Sequence, residues 1–275
     1  MIKKSVSMFF MYIVLTFIVV VSLFPLLWVV MSSFKTNAEI LSSPFSLPTS
    51  FDFEPYLQVL STNNFLTFAI NSFVIATVAT LGSLLMYSMG AYVIAKYDFW
   101  GRNIFFAIFA LTLLVPGHTK TQPIFSLVAN LGLYDTRQGL ILVYLSAGLA
   151  MCMFLMRSAF TAIPKEITEA ATIDGAGFIR IFAQLHLPLV KSGLATAGIL
   201  LFLGNWNEYY FAMLLTASAK NRTLPYALAF FNETFAYNYT RMFAALTLVI
   251  LPGILIYIIT QEQVKMSLTA GSVKG

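Results

Sequence analysis

The chain has 275 residues, of which 59% are hydrophobic and only 10% are charged, and its net charge is +5 at pH 7. A soluble domain carries about a quarter charged residues, so this composition argues against an ordinary soluble fold and predicts residence in a lipid bilayer. The positive excess is small and forms no dense basic run, which argues against a nucleic-acid partner.

Residues that carry metal or catalytic chemistry are sparse. The one cysteine, Cys152, lies in an apolar stretch and has no partner for an internal disulfide. The histidines, His118 and His186, are far apart, and no cluster has metal-ligand spacing. The sequence has no G-x4-GK[ST] loop for ATP and no defensible catalytic arrangement. We therefore predict a protein that is not an enzyme and that holds no metal or cofactor of its own.

Six charge-poor stretches are long enough to cross the hydrocarbon core, which takes about 20 helical residues. Helix is expected because backbone polar groups in lipid must pair within their own segment, and the alternation of a membrane barrel is absent. The predicted fold class is therefore all-α: a polytopic membrane protein whose residues 1–275 form a single transmembrane domain. The predicted spans are approximately 8–31, 68–95, 103–119, 138–157, 192–216 and 242–261.

Three other features follow from the chain order. The first span resembles a secretory signal because two lysines precede it, but its apolar run is too long and no small-residue cleavage site follows, so a retained helix is predicted. Residues 35–64 hold three prolines among serines and threonines and are expected to form an ordered external loop. Residues 120–136 are apolar but short, which favours a short helix at the membrane surface.

The distribution of lysine and arginine predicts the orientation. Six spans place both termini on one side of the membrane. With the N-terminus in the cytoplasm, ten of the 16 basic residues lie inside and six lie outside. Because cytoplasmic loops carry the excess of lysine and arginine, both termini are predicted to be cytoplasmic.

The segment 164–189, between the fourth and fifth spans, has the densest charge and helix punctuation in the chain. It would lie in the cytoplasm. Pro164 fits the first turn of a helix, and Gly175 and Gly177 are expected to end that helix. A second short helix is expected to stop before Pro188, since the residue before a proline avoids the helical region.

The first helix of this segment has a face suited to docking. Glu166, Glu169, Ala170 and Ile173 follow the i, i+3, i+4, i+7 pattern, and two adjacent alanines permit close approach of another surface. A helix of this kind can dock into a groove on a partner. The alternative is an ordinary solvated loop whose short helix lies on the membrane surface.

The same segment resembles the EAA motif of ABC-importer permeases, EAA-x3-G-x9-I-x-LP. The matching residues are Glu169-Ala170-Ala171, Gly175, Leu185 and Leu187-Pro188, and the only departure is Leu185 in place of isoleucine. In that family this segment is the coupling helix, which sits in a cleft of the ATP-binding subunit. Further blocks resemble the carbohydrate, maltose-type branch: IPKEITEAATIDGA, LGLYDTRQGLILVY, NWNEYYFAML and LTAGSVKG, with NSF at 71–73 and GAYVIA at 90–95.

The resemblance implies a type I ABC-importer permease fold and a role as a permease subunit of an ATP-driven sugar importer in the bacterial inner membrane. Its implied partners are a second homologous permease in a heterodimer, two ATP-binding subunits that hold ATP and Mg²⁺, and an extracellular or periplasmic sugar-binding protein. The residues expected to couple to the ATPase are Glu166, Glu169, Ala170, Ala171, Asp174, Gly175, Leu187 and Pro188. In the tail 265–275, contact with the ATPase is expected at Gly271, Ser272, Lys274 and Gly275; a frayed terminus is the alternative.

Glu208 is the only acidic residue within the predicted spans, and an ionisable side chain there indicates function by default. The residues expected to line the translocation path or contact substrate are Asn205, Trp206, Asn207, Glu208 and Tyr209. Aromatic faces beside amides and a carboxylate suit a sugar. The alternative is an interfacial aromatic belt. In a heterodimer the main sugar pocket can lie in the other permease.

Polar and small residues in other spans are assigned structural roles. Asn71 and Ser72 are expected to hydrogen-bond to neighbouring helices, and four glycines are expected to permit close helix approach: Gly82, Gly90, Gly198 and Gly204.

Two rival functions remain from the sequence. An ion-gradient-driven secondary carrier needs intramembrane acids or bases, and usually internal repeats, yet only Glu208 is available. A membrane scaffold without transport activity is the other.

Overall fold

A computed structural model describes residues 2–61, 64–228 and 237–272, with side chains described at 8–61, 64–228, 237–259, 261 and 262. These ranges contain helices and no strand, which confirms the predicted all-α class. The helices are α1 (Ile2–Ser32), α2 (Asn37–Ser42), α3 (Glu54–Ser61), α4 (Phe65–Lys96), α5 (Arg102–Leu111), α6 (Thr121–Asn130), α7 (Arg137–Ala147), α8 (Leu149–Thr161), α9 (Lys165–Ile173), α10 (Phe178–Arg180), α11 (Leu187–Leu189), α12 (Lys191–Trp206), α13 (Tyr210–Leu215) and α14 (Tyr239–Ser272). A π-helical turn, Ile181–His186, joins α10 to α11.

The described chain divides into two compact units. The first comprises Met1–Phe65 and Ala227–Pro252, and the second comprises Leu66–Tyr226 and Gly253–Gly275. Among the described residues, three helical stretches are long and apolar enough to cross a membrane: Met8–Ser32, Phe65–Lys96 and Tyr239–Ile259. Two bent helix pairs pass the same test, α7 with α8 at 48° and Phe178–Leu189 with α12 at 82°.

In the first unit, α1 exposes apolar side chains on every side over Met8–Leu27, as expected for a helix whose surroundings are lipid. Its C-terminal end is tied to the loop that follows. The indole N–H of Trp28 donates to the carbonyl of Pro44 at 2.8 Å, and the Trp28 ring packs edge-on against Phe243 at 5.1 Å. Lys35 is buried, and its ammonium donates to the carbonyls of Ser43 and Pro44.

The loop after α1 is ordered where it is described. Thr36 and Glu39 form a capping box at the start of α2, and the hydroxyl of Thr49 donates to the Glu39 carboxylate at 2.6 Å. The start of α14 also reaches this loop, because the Thr240 hydroxyl donates to the carbonyl of Lys35 at 2.7 Å. Side-chain hydrogen bonds thus hold this segment together with aromatic packing, in which the Phe34 ring lies 5.3 Å from those of Phe51 and Phe53.

In the second unit, the bend between α7 and α8 occurs at Gly148. The carbonyl of Leu145, one turn earlier, accepts hydrogen bonds from two α4 hydroxyls, Ser83 at 2.9 Å and Tyr87 at 2.7 Å. Hydroxyl donors of this kind allow helices to bend within a membrane without leaving backbone groups unpaired. A Cβ on Gly148 would lie 2.0 Å from Cδ2 of Leu201, so glycine lets the bend pack against α12 without displacing Leu201.

Glycine allows close helix approach at three of the four predicted positions. A Cβ on Gly82, Gly90 or Gly198 would meet a side chain of a neighbouring helix at 2.8, 3.3 or 3.2 Å. The prediction is wrong for Gly204, where a Cβ would meet nothing within 4 Å. Gly204 instead lines a cavity beside α7 and α8.

Asn71 and Ser72 hold the chain that follows α13. The Asn71 amide donates to the carbonyls of Lys220 and Arg222, and the Ser72 hydroxyl accepts from the backbone N–H of Leu224 at 2.7 Å. The predicted partners were neighbouring helices. Ser72 meets this prediction at Leu224, the first residue of a helical stretch at 224–228, whereas Asn71 also bonds to the non-helical Arg222, because buried backbone groups outside helices need side-chain partners.

Two further segments differ from the sequence-based expectation. In the predicted third span, the ten-residue helix α5 ends at Leu111, and the chain turns before Pro116 and then forms a short 3-10 helix, Gly117–Lys120. Ten helical residues extend about 15 Å, and the residue preceding a proline disfavours helix. The tail predicted at 265–275 continues α14 as far as Ser272, so Gly271 and Ser272 lie in helical backbone. Lys274 and Gly275 lie outside the described residues.

Candidate functional site

The segment 164–189 begins with α9, which Pro164 precedes at the N-cap position. A Schellman motif ends α9: the N–H of Ala176 donates to the carbonyl of Ala171, and the N–H of Gly175 donates to Thr172, both at 3.0 Å. Gly175 has φ +80°, a left-handed conformation that costs a residue with a Cβ. The EAA-type glycine is therefore required by backbone geometry.

Gly177 does not end α9, contrary to the prediction. It has extended backbone, φ −75° and ψ 165°, and it caps the start of α10. One left-handed residue is enough to close a Schellman motif, so the second glycine is free to open the next helix.

The second short helix was predicted to stop before Pro188, but helical structure continues through Pro188 to Leu189. The preceding turn is π-helical, and the N–H of Leu187 reaches back five residues to the carbonyl of Phe182. In an α-helix, a proline ring clashes with the carbonyl four residues earlier. The wider π turn changes the position of that carbonyl, which explains why the helix continues through Pro188.

The predicted docking face of α9 lies outward. Glu166, Glu169, Ala170 and Ile173 are all exposed, and Ile173 retains 86% of its accessible surface. An isoleucine this exposed on a short amphipathic helix marks a surface that a partner can cover.

The opposite side of α9 packs inward, against the buried cluster that includes Tyr92, Phe160 and Phe182. Ile167 and Ala171 belong to that side. The two motif alanines therefore face different ways: Ala170 is exposed, and Ala171 packs against the protein. The expectation that both open the surface to a partner is wrong for Ala171, because adjacent helical residues point about 100° apart.

The remaining predicted coupling residues divide in the same way. Asp174, Gly175 and Pro188 are exposed, and Leu187 packs against the buried cluster. Ile179 of α10 was not among the predicted residues, although it is 72% exposed and lies close to Ile173 in the chain. A bulky apolar residue directly after a glycine turn was the available signal.

His186, in the π-helical turn, connects that turn to α9. It is fully buried, and its Nε2 lies 3.0 Å from the hydroxyl oxygen of Thr168 on α9. Its Nδ1 has no hydrogen-bond partner among the described residues. Burial lowers the pKa of His186, and the positive charge of Lys96 lowers it further, so the ring is neutral at pH 7.

The predicted fifth span is broken at Glu208. Helix α12 ends at Trp206, residues 207–209 are non-helical, and α13 begins at Tyr210. The Glu208 carboxylate accepts hydrogen bonds from the N–H groups of Phe211 at 2.8 Å and Ala212 at 3.1 Å. It also accepts from the Tyr144 hydroxyl at 2.7 Å. The Glu208 carboxylate therefore caps the start of α13, the second half of the broken helix.

The other residues of NWNEYY do not form one surface. Asn205 and Trp206 are buried, the first donating to the Thr80 hydroxyl at 3.1 Å and the second stacking on Phe202. Asn207 is exposed, and Tyr209 keeps 38% of its surface. The predicted cluster of amides and aromatic rings thus separates into buried and exposed members, because residues 205–210 leave one helix and enter another.

A cavity of about 260 Å³ lies beside this break. Tyr144, Gly148, Gly204, Asn205 and Glu208 contribute to its wall. Most of the wall is apolar, and the polar groups come from the broken span and from α7. The cavity lies where helices bend or stop, as is typical of ligand paths in membrane proteins.

The loop that follows α13 is also fixed by a carboxylate. Asp135 accepts hydrogen bonds from the N–H groups of Ala217 at 2.9 Å and Ser218 at 3.0 Å, and from the Asn221 amide. Burial acts to raise the pKa of Asp135, but these donors, Ser218 foremost, outweigh it and lower the pKa. The LGLYDTRQGLILVY block therefore holds the loop after α13 in place.

The chain is similar to known proteins over most of its length. The family described as binding-protein-dependent transport system inner membrane component matches residues 87–266. The diacetylchitobiose uptake system permease protein NgcG of Streptomyces coelicolor is 36% identical over 92% of this chain and 84% of its own length. The inner membrane ABC transporter permease protein YcjP of Escherichia coli is 33% identical over 99% of both chains. A solved bacterial ABC transporter for import of the acidic polysaccharide alginate superposes with a TM-score of 0.83 at 27% identity, over 94% of this chain and 97% of that one.

Proposed function

The chain belongs to the family of inner-membrane components of binding-protein-dependent transport systems, and we propose from this membership that it carries a sugar through the membrane as half of an ATP-driven importer. It is a multi-pass, non-enzymatic transport subunit whose ATPase is a separate protein. Related permeases named for diacetylchitobiose and trehalose support a carbohydrate cargo.

The single observation that carries the proposal is the outward face of α9. Glu169, Ala170 and Ile173 are exposed on a helix whose other side is anchored in the protein. A partner that binds the exposed face can move such a helix. The rest of the protein moves with it because the inner face of the helix is packed against the buried cluster. A solvated surface loop needs neither the Schellman turn nor the buried contacts.

The complete importer is proposed to contain a second, homologous permease, two cytoplasmic ATP-binding subunits and an external sugar-binding protein. ATP and Mg²⁺ are bound by the ATP-binding subunits. Within the described residues, no group of three acidic, histidine or cysteine side chains could hold a metal ion in this chain. Contact of the end of α14 and residues 273–275 with the ATP-binding subunits remains part of the proposal.

The translocation path is proposed to run beside the break in the fifth span. The cavity of about 260 Å³ at Gly204 and Glu208 supports this assignment. Because the Glu208 carboxylate already accepts three hydrogen bonds, we assign it to holding the break open rather than to gripping sugar. Asn207 and Tyr209, which are exposed, remain the members of NWNEYY best placed to meet cargo or the second permease.

In operation, ATP closes the ATP-binding subunits and moves the docked α9 helices of both permeases. The path then changes from inward-open to outward-open. The loaded binding protein favours the same outward state through the external loops 35–64 and 217–240. The two ligands together shift the population because each binds one state better than the other. ATP hydrolysis resets the inward state.

A secondary carrier is not favoured. Ion coupling needs an ionisable group that gains and loses its ion during transport. Glu208 is the acid in the predicted spans, and it is engaged as a helix cap.

Co-purification tests the assembly. The chain, tagged at its N-terminus to leave the C-terminal tail free, is isolated from gently solubilised native membranes and its partners are identified by mass spectrometry. We expect an ATPase at two copies per permease pair together with a second permease. Recovery of the chain alone, active in gradient-driven uptake, would overturn the proposal.

A charge reversal tests the coupling face in the same complex. Glu169→Lys is expected to abolish ATP-driven uptake while the chain still reaches the membrane, because the exposed side chain supports docking rather than folding. Asp98→Lys is the matched control: it is also an exposed reversal on the predicted cytoplasmic side, and it removes only a surface ion pair with Arg102. Equal uptake by both variants would contradict the role of this face.

Orientation is tested by thiol labelling. The native Cys152 is buried, so Cys152→Ala provides a background without reactive thiols. Ala38→Cys and Gln184→Cys each place a single thiol at an exposed position. With both termini cytoplasmic, a membrane-impermeant maleimide added outside intact cells should label the cysteine at 38 and spare that at 184. The reverse pattern would invert the topology.

A further inference from the structure

Tyr92 of α4 is the point at which the coupling segment meets a transmembrane helix. The side chain is completely buried. Three rings of the segment surround it, with centroid distances of 5.4 Å to Phe178, 5.3 Å to Phe182 and 4.9 Å to His186. Phe160 of α8 completes the cage at 5.5 Å. Contacts at this density fix the position of the segment against α4.

The π-helical turn explains how three residues spaced by four can all reach one ring. In an α-helix, residues four positions apart are rotated by about 40° from each other around the helix axis, so Phe182 and His186 would be rotated from Phe178 by about 40° and 80°. A π turn, with its i→i+5 bonds, contains more residues per turn and rotates less for each. Placed at Ile181–His186, it returns Phe182 and His186 to the side that Phe178 occupies.

His186 also reaches the opposite way, to α9. The 3.0 Å contact between its Nε2 and the Thr168 hydroxyl is a hydrogen bond from the π turn to the inner side of the coupling helix. Thr168 in turn accepts, at its carbonyl, from the hydroxyl of Thr172. One buried residue therefore touches both the helix that faces the partner and the helix that enters the membrane.

We propose that Thr168, His186 and Tyr92 form the contact that transmits movement of α9 to α4. They are positioning residues, and the inference rests on the proposed ATP-driven function. A displacement of α9 pulls His186 through the hydrogen bond, and the packed ring of His186 moves Tyr92. The surrounding rings leave little free space, so the displacement is passed on rather than absorbed.

The contact is distinguished from ordinary core packing by a readout that is local to α4. A fluorophore on Phe73→Cys, an exposed position on α4, in the Cys152→Ala background reports its environment. The complete complex in lipid is trapped with ATP, Mg²⁺ and orthovanadate, a probe that needs no knowledge of the sugar. Both the nucleotide retained and the change in fluorescence are measured.

Thr168→Val and His186→Phe each remove the hydrogen bond and preserve volume or ring shape. We expect each to retain nucleotide trapping and to reduce the fluorescence change about fivefold. The double variant should be no worse than either single one, because both remove one shared interaction. Tyr92→Leu, which removes the ring, should abolish the change. Tyr92→Phe is the control: it loses only a hydroxyl facing Tyr97 and should respond as the unaltered protein does.

Two outcomes would overturn the inference alone. One is a full fluorescence change in Thr168→Val and His186→Phe. The other is trapped nucleotide in the unaltered complex with no response at position 73. A complex that traps no nucleotide at all would instead overturn the proposed ATP-driven function, and the transmission contact with it.

Discussion

The hydroxyl of Tyr144 lies 2.7 Å from Oε2 of Glu208, and this bond joins α7 to the break between α12 and α13. The same carboxylate caps α13 through two backbone N–H groups. A charge in an apolar span is costly unless it is paired and hydrogen-bonded, and here three donors meet one carboxylate. Glu208 therefore organises the broken helix that borders the cavity.

Substitutions at Glu208 distinguish a structural role as a helix cap from a role as an ion-carrying group. Glu208→Gln keeps one acceptor oxygen, and we expect it to retain most ATP-driven uptake and to lose about 1–2 kcal/mol of stability. Glu208→Ala leaves the donors unpaired and should cost about 3 kcal/mol. Thermal unfolding of the purified protein in detergent and uptake in vesicles check both. Complete loss of uptake in a stable Glu208→Gln protein would assign the carboxylate a direct role in coupling.

The two glycines after α9 should respond differently to alanine. Gly175 has φ +80°, so Gly175→Ala strains the Schellman turn and is expected to destabilise the segment by about 1 kcal/mol and to lower ATP-driven uptake. Gly177 has ordinary extended backbone and open space around it, so Gly177→Ala is its matched control and should be close to neutral. Limited proteolysis within 164–189, measured beside uptake, checks the pair. Equal sensitivity of the two variants would show that backbone geometry is not the reason for glycine at 175.

The glycines that line the cavity provide a second matched pair. A Cβ at Gly148 would lie 2.0 Å from Cδ2 of Leu201, so Gly148→Ala forces either the Leu201 side chain or the packing of α8 on α12 to shift. We expect a loss of about 1–3 kcal/mol of stability. Gly204→Ala meets no atom within 4 Å and should unfold at the temperature of the unaltered protein. Thermal unfolding followed by size-exclusion chromatography measures both. A stable Gly148→Ala protein would mean that Leu201 can move aside without cost.

The buried His186 predicts a loss of stability in acid. Its pKa is lowered below the ordinary value of 6.5 by burial and then by Lys96, so the unfolded chain binds the proton more readily than the folded one. Stability is therefore complete above about pH 6.5 and falls as the pH drops from there towards the lowered folded pKa. His186→Phe has no such proton.

We expect the unfolding temperature of the unaltered protein to fall relative to His186→Phe between pH 7.5 and pH 5, the Phe variant serving as the reference at each pH. A constant difference across this range would contradict a neutral, buried imidazole.

The sequence by itself determined the class of protein, because hydrophobic runs of membrane length and the scarcity of charge leave helical spans as the available solution. It also determined the outward face of α9, since helical periodicity puts Glu166, Glu169 and Ile173 on one side whatever the rest of the chain does. The EAA-type spacing identified the family on the same local basis. A glycine at the end of α9 was predicted as well, but the sequence did not distinguish Gly175, which is left-handed, from Gly177, which is not.

Only the tertiary structure decided which groups meet across the chain. The roles of Tyr92, His186 and Gly148 depend on partners far away in sequence, Phe182, Thr168 and Leu201 among them. Propensity rules detect no local signal for the π turn that allows the helix to continue through Pro188. The cap formed by Glu208 depends on a break in the predicted fifth span, whereas the apolar pattern of the sequence predicts a continuous helix there. Periodicity records which side of a helix is apolar, whereas packing between helices decides what that side touches and where the helix must bend.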